Sequence, residues 1–207
     1  MFAMQIRTDI IRKRYNRIAR MYSSMDTMVK KEWRQNLLLH ASGNVLEVGI
    51  GTGANPPYVD VTGIDFSPNM LAYAKERLEI LPSKLSIHLL QMDAQHLTFP
   101  DHSFDTVVST CVFCSVPDPI LGLREIHRVL KFSGQFLMIE HMLSDNPLLA
   151  GMLHVLNPLT VRISGVNVNR RTMENLTTAN FHIQHISRLA WKDIVRKIIA
   201  TPLPKED

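Results

Sequence analysis

Cysteine is nearly absent from this sequence: Cys111 and Cys114 are its only two thiols, too few for a disulfide framework. Their C-x-x-C spacing falls in an apolar mid-chain stretch rather than at the opening of a first helix. They therefore read as buried thiols, not as a redox pair. Long apolar runs are missing too, and no stretch reaches the roughly 18 residues a spanning helix needs. Arg7, Asp9 and Arg12 interrupt what would be the apolar core of a secretory signal, so the expected location is cytoplasmic. Aromatics make up 7% of the chain and form no platform interleaved with basic residues, which argues against nucleic acid as a partner. No metal site is expected.

What is present is an ordinary globular composition of 207 residues with 45% hydrophobic and 20% charged residues, enough for one domain with one core. The charge is unevenly placed. Residues 1–35 carry nine basic side chains against three acidic ones, an excess of +6 within a chain of net +4. The remainder is close to neutral, and the basic excess belongs to the N-terminal segment. Mixed with Ile6, Ile10, Ile11 and Ile18, it has the composition of a helix that can rest on an anionic membrane surface, or simply cover a site.

The periodicity changes along the chain. Residues 5–40 read as helical. From residue 44 strands alternate with helices: strand 44–48, a glycine-rich turn with a poor helix start at Asn55-Pro56-Pro57, strand 61–64, and helix 67–81 with Ser67 as cap and Pro68 in its first turn. Strand 85–91, strand 106–112, helix 120–130 and strand 135–139 follow. Residues 143–163 are apolar, with Pro147 and Pro158 as breakers, and predict one or two short helices. A helix at 171–179 and two neighbouring strands at 181–189 and 193–200 end the chain. The whole predicts an α/β fold: a mainly parallel Rossmann-like sheet with helices on both faces, closed by a C-terminal antiparallel hairpin. Within a single domain 1–207, residues 1–40 would form a helical cap, 41–142 the sheet core, 143–180 an apolar covering segment and 181–207 the hairpin.

Val45-Leu46-Glu47-Val48-Gly49-Ile50-Gly51-Thr52-Gly53 runs a strand straight into three alternate glycines, which allow a tight turn and close approach to a ligand. With Ala54 it also satisfies the dinucleotide fingerprint. The following strand ends decide between ligands. Asp65 can accept from ribose hydroxyls. Asp93 can accept from an adenine amino group, with the Ala94 N–H donating to the ring. Thr110 supplies a further hydroxyl contact. Glu47, Asp65 and Asp93 together are unfavourable to a pyrophosphate and suit a ligand bearing an ammonium and a sulfonium.

In this order, E-V-G-x-G-T-G, I-D-F-S-x-x-M-L, D-A and F-D-T-V-V resemble the successive motifs of class I methyltransferases over about residues 40–142. The resemblance implies S-adenosylmethionine as cofactor, with Glu47, Gly49, Gly51, Gly53, Asp65, Phe66, Met70, Asp93, Ala94 and Thr110 around it. Lys131-Phe132-Ser133-Gly134 departs from the family's basic residue followed by Pro-Gly-Gly, and is expected to be a structural turn before strand five.

Four further segments narrow the resemblance. Arg14-Tyr15-Asn16-Arg17-Ile18-Ala19 with Tyr22, Gly53-Ala54-Asn55-Pro56-Pro57-Tyr58 and Gly165–Thr172 are similar to bacterial phosphatidylethanolamine N-methyltransferases. Cys114–Pro119 and Glu140-His141-Met142 are shared with alkyl-thiol methyltransferases. The implied reaction is methyl transfer to nitrogen or sulfur of a small apolar or lipid-like acceptor, phosphatidylethanolamine among them. The alternatives are carbon methylation of a quinone precursor, a nicotinamide-dependent oxidoreductase, and a cofactor-binding module without catalysis. Val166 and Asn167 replace the family's usual Cys and His, so another group would have to take the acceptor's proton. His141, after strand five, is the expected base, with Tyr15 and Tyr22 closing over the donor.

Overall fold

The computed structural model describes residues 2–25, 29–55, 60–80 and 85–204, except the side chains of 2–5, 7, 21 and 23–25. All its strands join one seven-stranded sheet in the order β3-β2-β1-β4-β5-β7-β6. The strands are β1 (Val45–Val48), β2 (Val61–Asp65), β3 (Ile87–Gln91), β4 (Phe104–Thr110), β5 (Leu130–His141), β6 (Phe181–Ala190) and β7 (Val195–Pro202). β1 to β5 are parallel, while β7 lies antiparallel to β5 and β6 antiparallel to β7. This is the expected parallel sheet with a terminal hairpin. The strand order reverses between β1 and β4, where ligands bind outside the carboxyl ends of open α/β sheets.

Alternation along β5 builds a core on each face. Phe136 and Met138 join Leu46, Val48, Ile64 and Phe113 on one side. Leu137 and Ile139 join Val45, Val108, Leu37 and Leu38 on the other. α4 (Pro119–Val129) supplies Leu123, Ile126 and Val129 to the first core, and α3 (Pro68–Glu79) packs beside β2 and β3. Ser67 accepts the Met70 N–H and Asp118 accepts the Leu121 N–H at their N-termini, each with proline in the first turn, the arrangement that fixes where a helix starts.

Several boundaries differ from expectation. The helical stretch 5–40 is two helices, α1 (Phe2–Met25) and α2 (Lys31–Leu38). Asn55 sits in a bend, and the rest of the expected helix start, Pro56 and Pro57, lies outside the described residues with Tyr58. Lys131–Gly134 belongs to β5, because the register with β4 steps from Phe104↔Leu130 to Thr106↔Gln135. Gly134 fits that bulge because a Cβ there would stand 2.9 Å from the carbonyl oxygens of Asp105 and Lys131. Residues 147–163 form one helix, α5 (Pro147–Ile163), with Pro158 inside it. Proline removes only one hydrogen bond there, and Asn146 caps the start by accepting from the Leu148 and Leu149 N–H groups. Of this 17-residue helix only Leu153 is buried. The last helix, α6 (Thr172–Thr178), precedes the hairpin.

Candidate functional site

A cavity of about 860 Å³ including its open mouth lies at the carboxyl ends of β1, β2 and β4, roofed by α1. Its floor is the turn after β1. Gly49 has φ +68, and a Cβ there would approach Val112 Cγ2 to 2.4 Å, so only glycine fits. At Gly51 a Cβ would meet nothing nearer than the Gly49 carbonyl at 3.9 Å. The space over that residue is cavity. Gly53 does not line it; its Cβ would meet Ala74 of α3 at 3.4 Å, so this glycine serves helix packing.

Glu47, Gly49, Gly51, Asp65, Phe66, Met70, Asp93, Ala94 and Thr110 all line the cavity, with Tyr15 and Tyr22 from α1. Asp65 Oδ2 accepts the Gly51 N–H at 3.0 Å and Oδ1 accepts the Ser67 N–H at 2.8 Å. Burial pushes its pKa up to about 6, opposed by these N–H groups and that of Phe66. Each carboxylate oxygen still has a second acceptor site for a ribose hydroxyl. Asp93 is held differently: Gln95 donates to it through its backbone N–H at 2.9 Å and its amide at 3.0 Å. Gln95 is buried and was not signalled by any motif.

Glu47 is the most perturbed of these carboxyls. Burial pushes it up to about 8, and the Asn55 amide and the Arg34 charge pull it back. Asn55 donates to Glu47 Oε1 at 2.9 Å and to Thr110 Oγ1 at 3.1 Å, while its own oxygen accepts Arg34 Nη1 at 2.8 Å. Arg34 lines the cavity although only 6% exposed. Sequence reading left it in the basic N-terminal excess. The signal that could have found it is its helical spacing with Leu37 and Leu38, which share its buried face.

Tyr15 stands edge-on to Phe66, with ring centroids 5.7 Å apart, and 6.1 Å from Tyr22. Burial first, then the nearby Cys114 thiol, hold the Tyr15 phenol above its usual pKa. The α1 roof is pinned at both ends of this aromatic group. Asn16 accepts the Ser67 hydroxyl at 2.6 Å and its carbonyl accepts the Asn69 amide at 2.9 Å. Arg14 donates to the Val161 and Arg162 carbonyls at the end of α5.

His141 lies elsewhere. It is 4% exposed, pairs in the sheet with Val195 of β7, and is not among the cavity-lining residues. Burial lowers its pKa to about 4, against a small opposing influence of the Asn167 backbone.

The donor set fits S-adenosylmethionine. Thr52 Oγ1 is buried at the cavity without a hydrogen-bond partner, the Gly51 cradle is open, and two carboxyls suit an ammonium and a ribose. Bound there, the cofactor supplies an electrophilic methyl group. Glu47 would hold the ammonium, Asp65 the ribose, Asp93 and Ala94 the adenine.

The fold and this cavity define a Rossmann-like transferase. Residues 46–138 match the family model described as "Methyltransferase domain". The chain is 38% identical over 151 residues, 70% of its length, to a phosphatidylethanolamine N-methyltransferase of Cereibacter sphaeroides, covering 74% of that protein. It is 28% identical over 170 residues to a ubiquinone/menaquinone biosynthesis C-methyltransferase UbiE of Citrifermentans bemidjiense, covering 74% of this chain and 72% of that one. The chain belongs to the S-adenosylmethionine-dependent methyltransferases. The oxidoreductase alternative is thereby set aside. Among solved structures, a possible histamine N-methyltransferase from Thermotoga maritima superposes with TM-score 0.71 at 18% identity, covering 92% of this chain and 99% of that one. The [4+2]-cyclase SpnF superposes with TM-score 0.68 at 17% identity, covering 83% and 80%. These likenesses show the fold alone.

Proposed function

We propose that this methyltransferase moves the sulfonium methyl to nitrogen or sulfur of a small apolar or lipid-like acceptor, with phosphatidylethanolamine the first to test. One observation carries the reading: α1 contributes Tyr15 and Tyr22 to the cavity and is tied by Arg14 to the end of α5. α5 leaves Leu148, Val155 and Ile163 at least 70% exposed. α1 for its part exposes Lys13, Arg17 and Arg20. The roof helix and the helix it is tied to thus expose basic and apolar side chains respectively, the two kinds of residue suited to anionic lipid.

Methyl transfer is an in-line displacement that needs alignment more than acid–base help. Tyr15 and Tyr22 are placed to align acceptor and donor. His141, with its pKa near 4, is neutral at pH 7 but a weak base there. Loss of the acceptor's proton to solvent before binding therefore suits this site better.

Carbon methylation of a quinone precursor is the second reading, supported by the likeness to UbiE and by apolar lining from Ile11, Val112 and Val116. Labelled methyl transfer into fractionated lipids, thiols and quinones decides. Label in the phospholipid or thiol fraction is expected; label only in quinones would favour the second reading.

A further inference from the structure

We propose that Cys111, Glu140 and His141 form a binding site for a single zinc ion against the wall of the cofactor cavity. One ligand atom from each, a thiol sulfur, a carboxylate oxygen and an imidazole nitrogen, lies within 4.8 Å of the others. Tetrahedral zinc with bonds of about 2.0–2.3 Å places its ligand atoms about 3.4–3.8 Å apart. Glu140 Oε1 and His141 Nδ1 already stand 3.5 Å apart. The thiol needs to come in by about an ångström at most.

A second observation points to a missing ligand. His141 Nδ1 and Nε2 both lack a hydrogen-bond partner although the side chain is only 5% exposed. The Asn167 backbone is close enough to influence the ring but is out of hydrogen-bond geometry. A buried polar group left unsatisfied costs roughly 1–3 kcal/mol, and an unseen ion or water is the usual remedy.

The carboxylate is prepared in the same way. Glu140 is completely buried, and its Oε2 accepts the Val112 and Phe113 N–H groups at 3.0 and 2.8 Å. Oε1 accepts the His141 N–H at 3.2 Å and stands 3.5 Å from the imidazole Nδ1, and the Cys114 thiol also hydrogen-bonds this carboxyl. Among the described residues no Lys or Arg forms an ion pair with Glu140, whose one charged-pair contact is with His141. Arg170, whose charge it feels, directs Nη2 to the Val116 carbonyl at 2.6 Å. A cation is therefore the missing counter-charge, and backbone donors already orient the ligand as outer-shell partners do.

The donor set selects the ion. A thiolate with imidazole and one carboxylate suits zinc and excludes calcium and magnesium, which take oxygen. Zinc would displace the Cys111 thiol proton to solvent and bind the thiolate. Three protein ligands leave a fourth position for water or an acceptor atom, and Cys111 itself lines the cavity. The site stands whichever acceptor the enzyme uses.

The test uses the full chain stripped with a chelator and titrated with Co²⁺, then Zn²⁺. A thiolate-to-cobalt charge-transfer band saturating at one equivalent, and abolished by zinc, is expected. Cys111→Ser should remove the band, and His141→Asn should weaken binding at least about tenfold. Calorimetry with S-adenosylmethionine confirms that each variant is folded and reports on the donor site separately. Should a variant unfold, alkylation of the unmodified chain decides, since bound zinc must slow the labelling of Cys111. No band at saturating Co²⁺, a band surviving in Cys111→Ser, or equal alkylation with and without zinc overturns the proposal.

Discussion

Arg34 and Glu47 are joined through a single side chain: Asn55 accepts from Arg34 Nη1 at 2.8 Å and donates to Glu47 Oε1 at 2.9 Å. The chain of contacts sets the position and the charge of the carboxyl that would bind the cofactor's ammonium. Arg34→Met keeps the apolar stem and removes the guanidinium. It should raise Glu47 further and weaken S-adenosylmethionine binding by roughly 1.5–3 kcal/mol, as for loss of a charged hydrogen bond. Calorimetry measures it, and unchanged affinity would show that Asn55 holds Glu47 unaided.

Asp65 has the simpler role. Asp65→Ala removes two charge-assisted bonds to a ribose and the carboxylate that ties Gly51 to Ser67. Affinity for the cofactor and for its demethylated product should both fall by roughly 2–4 kcal/mol. A loss confined to one of the two ligands would mean that Asp65 faces the sulfonium end instead.

The buried carboxyls also predict a pH dependence. Glu47 is pushed up to about 8, Glu140 to about 7 and Asp65 to about 6. A carboxyl raised on folding contributes stability that is present below its unfolded pKa and is lost as pH rises through the folded value. His141, lowered to about 4, acts oppositely: its contribution is present above its unfolded value of 6.5 and is lost as pH falls towards 4. Above pH 6.5 the carboxyls act alone, so the melting temperature of the protein stripped of both cofactor and metal should decline between pH 6.5 and 8.5. Cofactor affinity should rise over the same interval, because an ionised Glu47 binds the ammonium. A melting temperature that climbs across this range would contradict the burial of these groups.

The strand-end carboxylates and the glycine turn were legible because each sits where a strand period breaks into a turn, and a turn at the carboxyl edge of a parallel sheet faces the ligand. Arg34 was not legible, since a buried arginine looks the same in sequence as its exposed neighbours Lys30 and Lys31. Its helical phase with Leu37 was the available clue. His141 misled for a different reason. Following a strand normally means reaching the open edge, but β7 pairs antiparallel alongside β5 and covers the residue opposite Val195. Pro158 ends no helix because the turns on either side of it continue, with Ser164 and Gly165 completing the ladder to Thr160 and Val161.

Removing residues 1–22 tests the roof. α1 packs on α3 and is pinned through Asn16 and Arg14, but it contributes no strand and none of the glycine turn. The truncated protein should keep its sheet by circular dichroism and lose turnover. If Tyr15, which lines the cavity, borders the reacting end as proposed, Tyr15→Ala should lower turnover more than it lowers cofactor affinity. Full turnover in either variant would show that the site works without its α1 cover.

The lipid surface makes the last prediction, and the structure sharpens which residues to change. Arg14 anchors α5 and Arg12 pairs with Asp9 at 2.9 Å, so reversing them would change these contacts as well as the surface charge. Lys13, Arg17 and Arg20 are exposed, and their reversal to Glu reports on charge alone. The protein should sediment with vesicles containing anionic lipid at low salt and release as ionic strength rises. Each basic residue contributes only about 1 kcal/mol near such a surface and is screened within a Debye length. The triple reversal should abolish the preference for anionic over neutral vesicles. Leu148→Ser with Val155→Ser, on the exposed side of α5, should weaken binding to both kinds of vesicle, since burial of apolar area does not depend on lipid charge. Binding that persists at high salt but fails in the α5 variant would make apolar insertion the leading contribution. Absence of binding at low salt would remove the membrane from the account, and a soluble amine or thiol would then become the better acceptor.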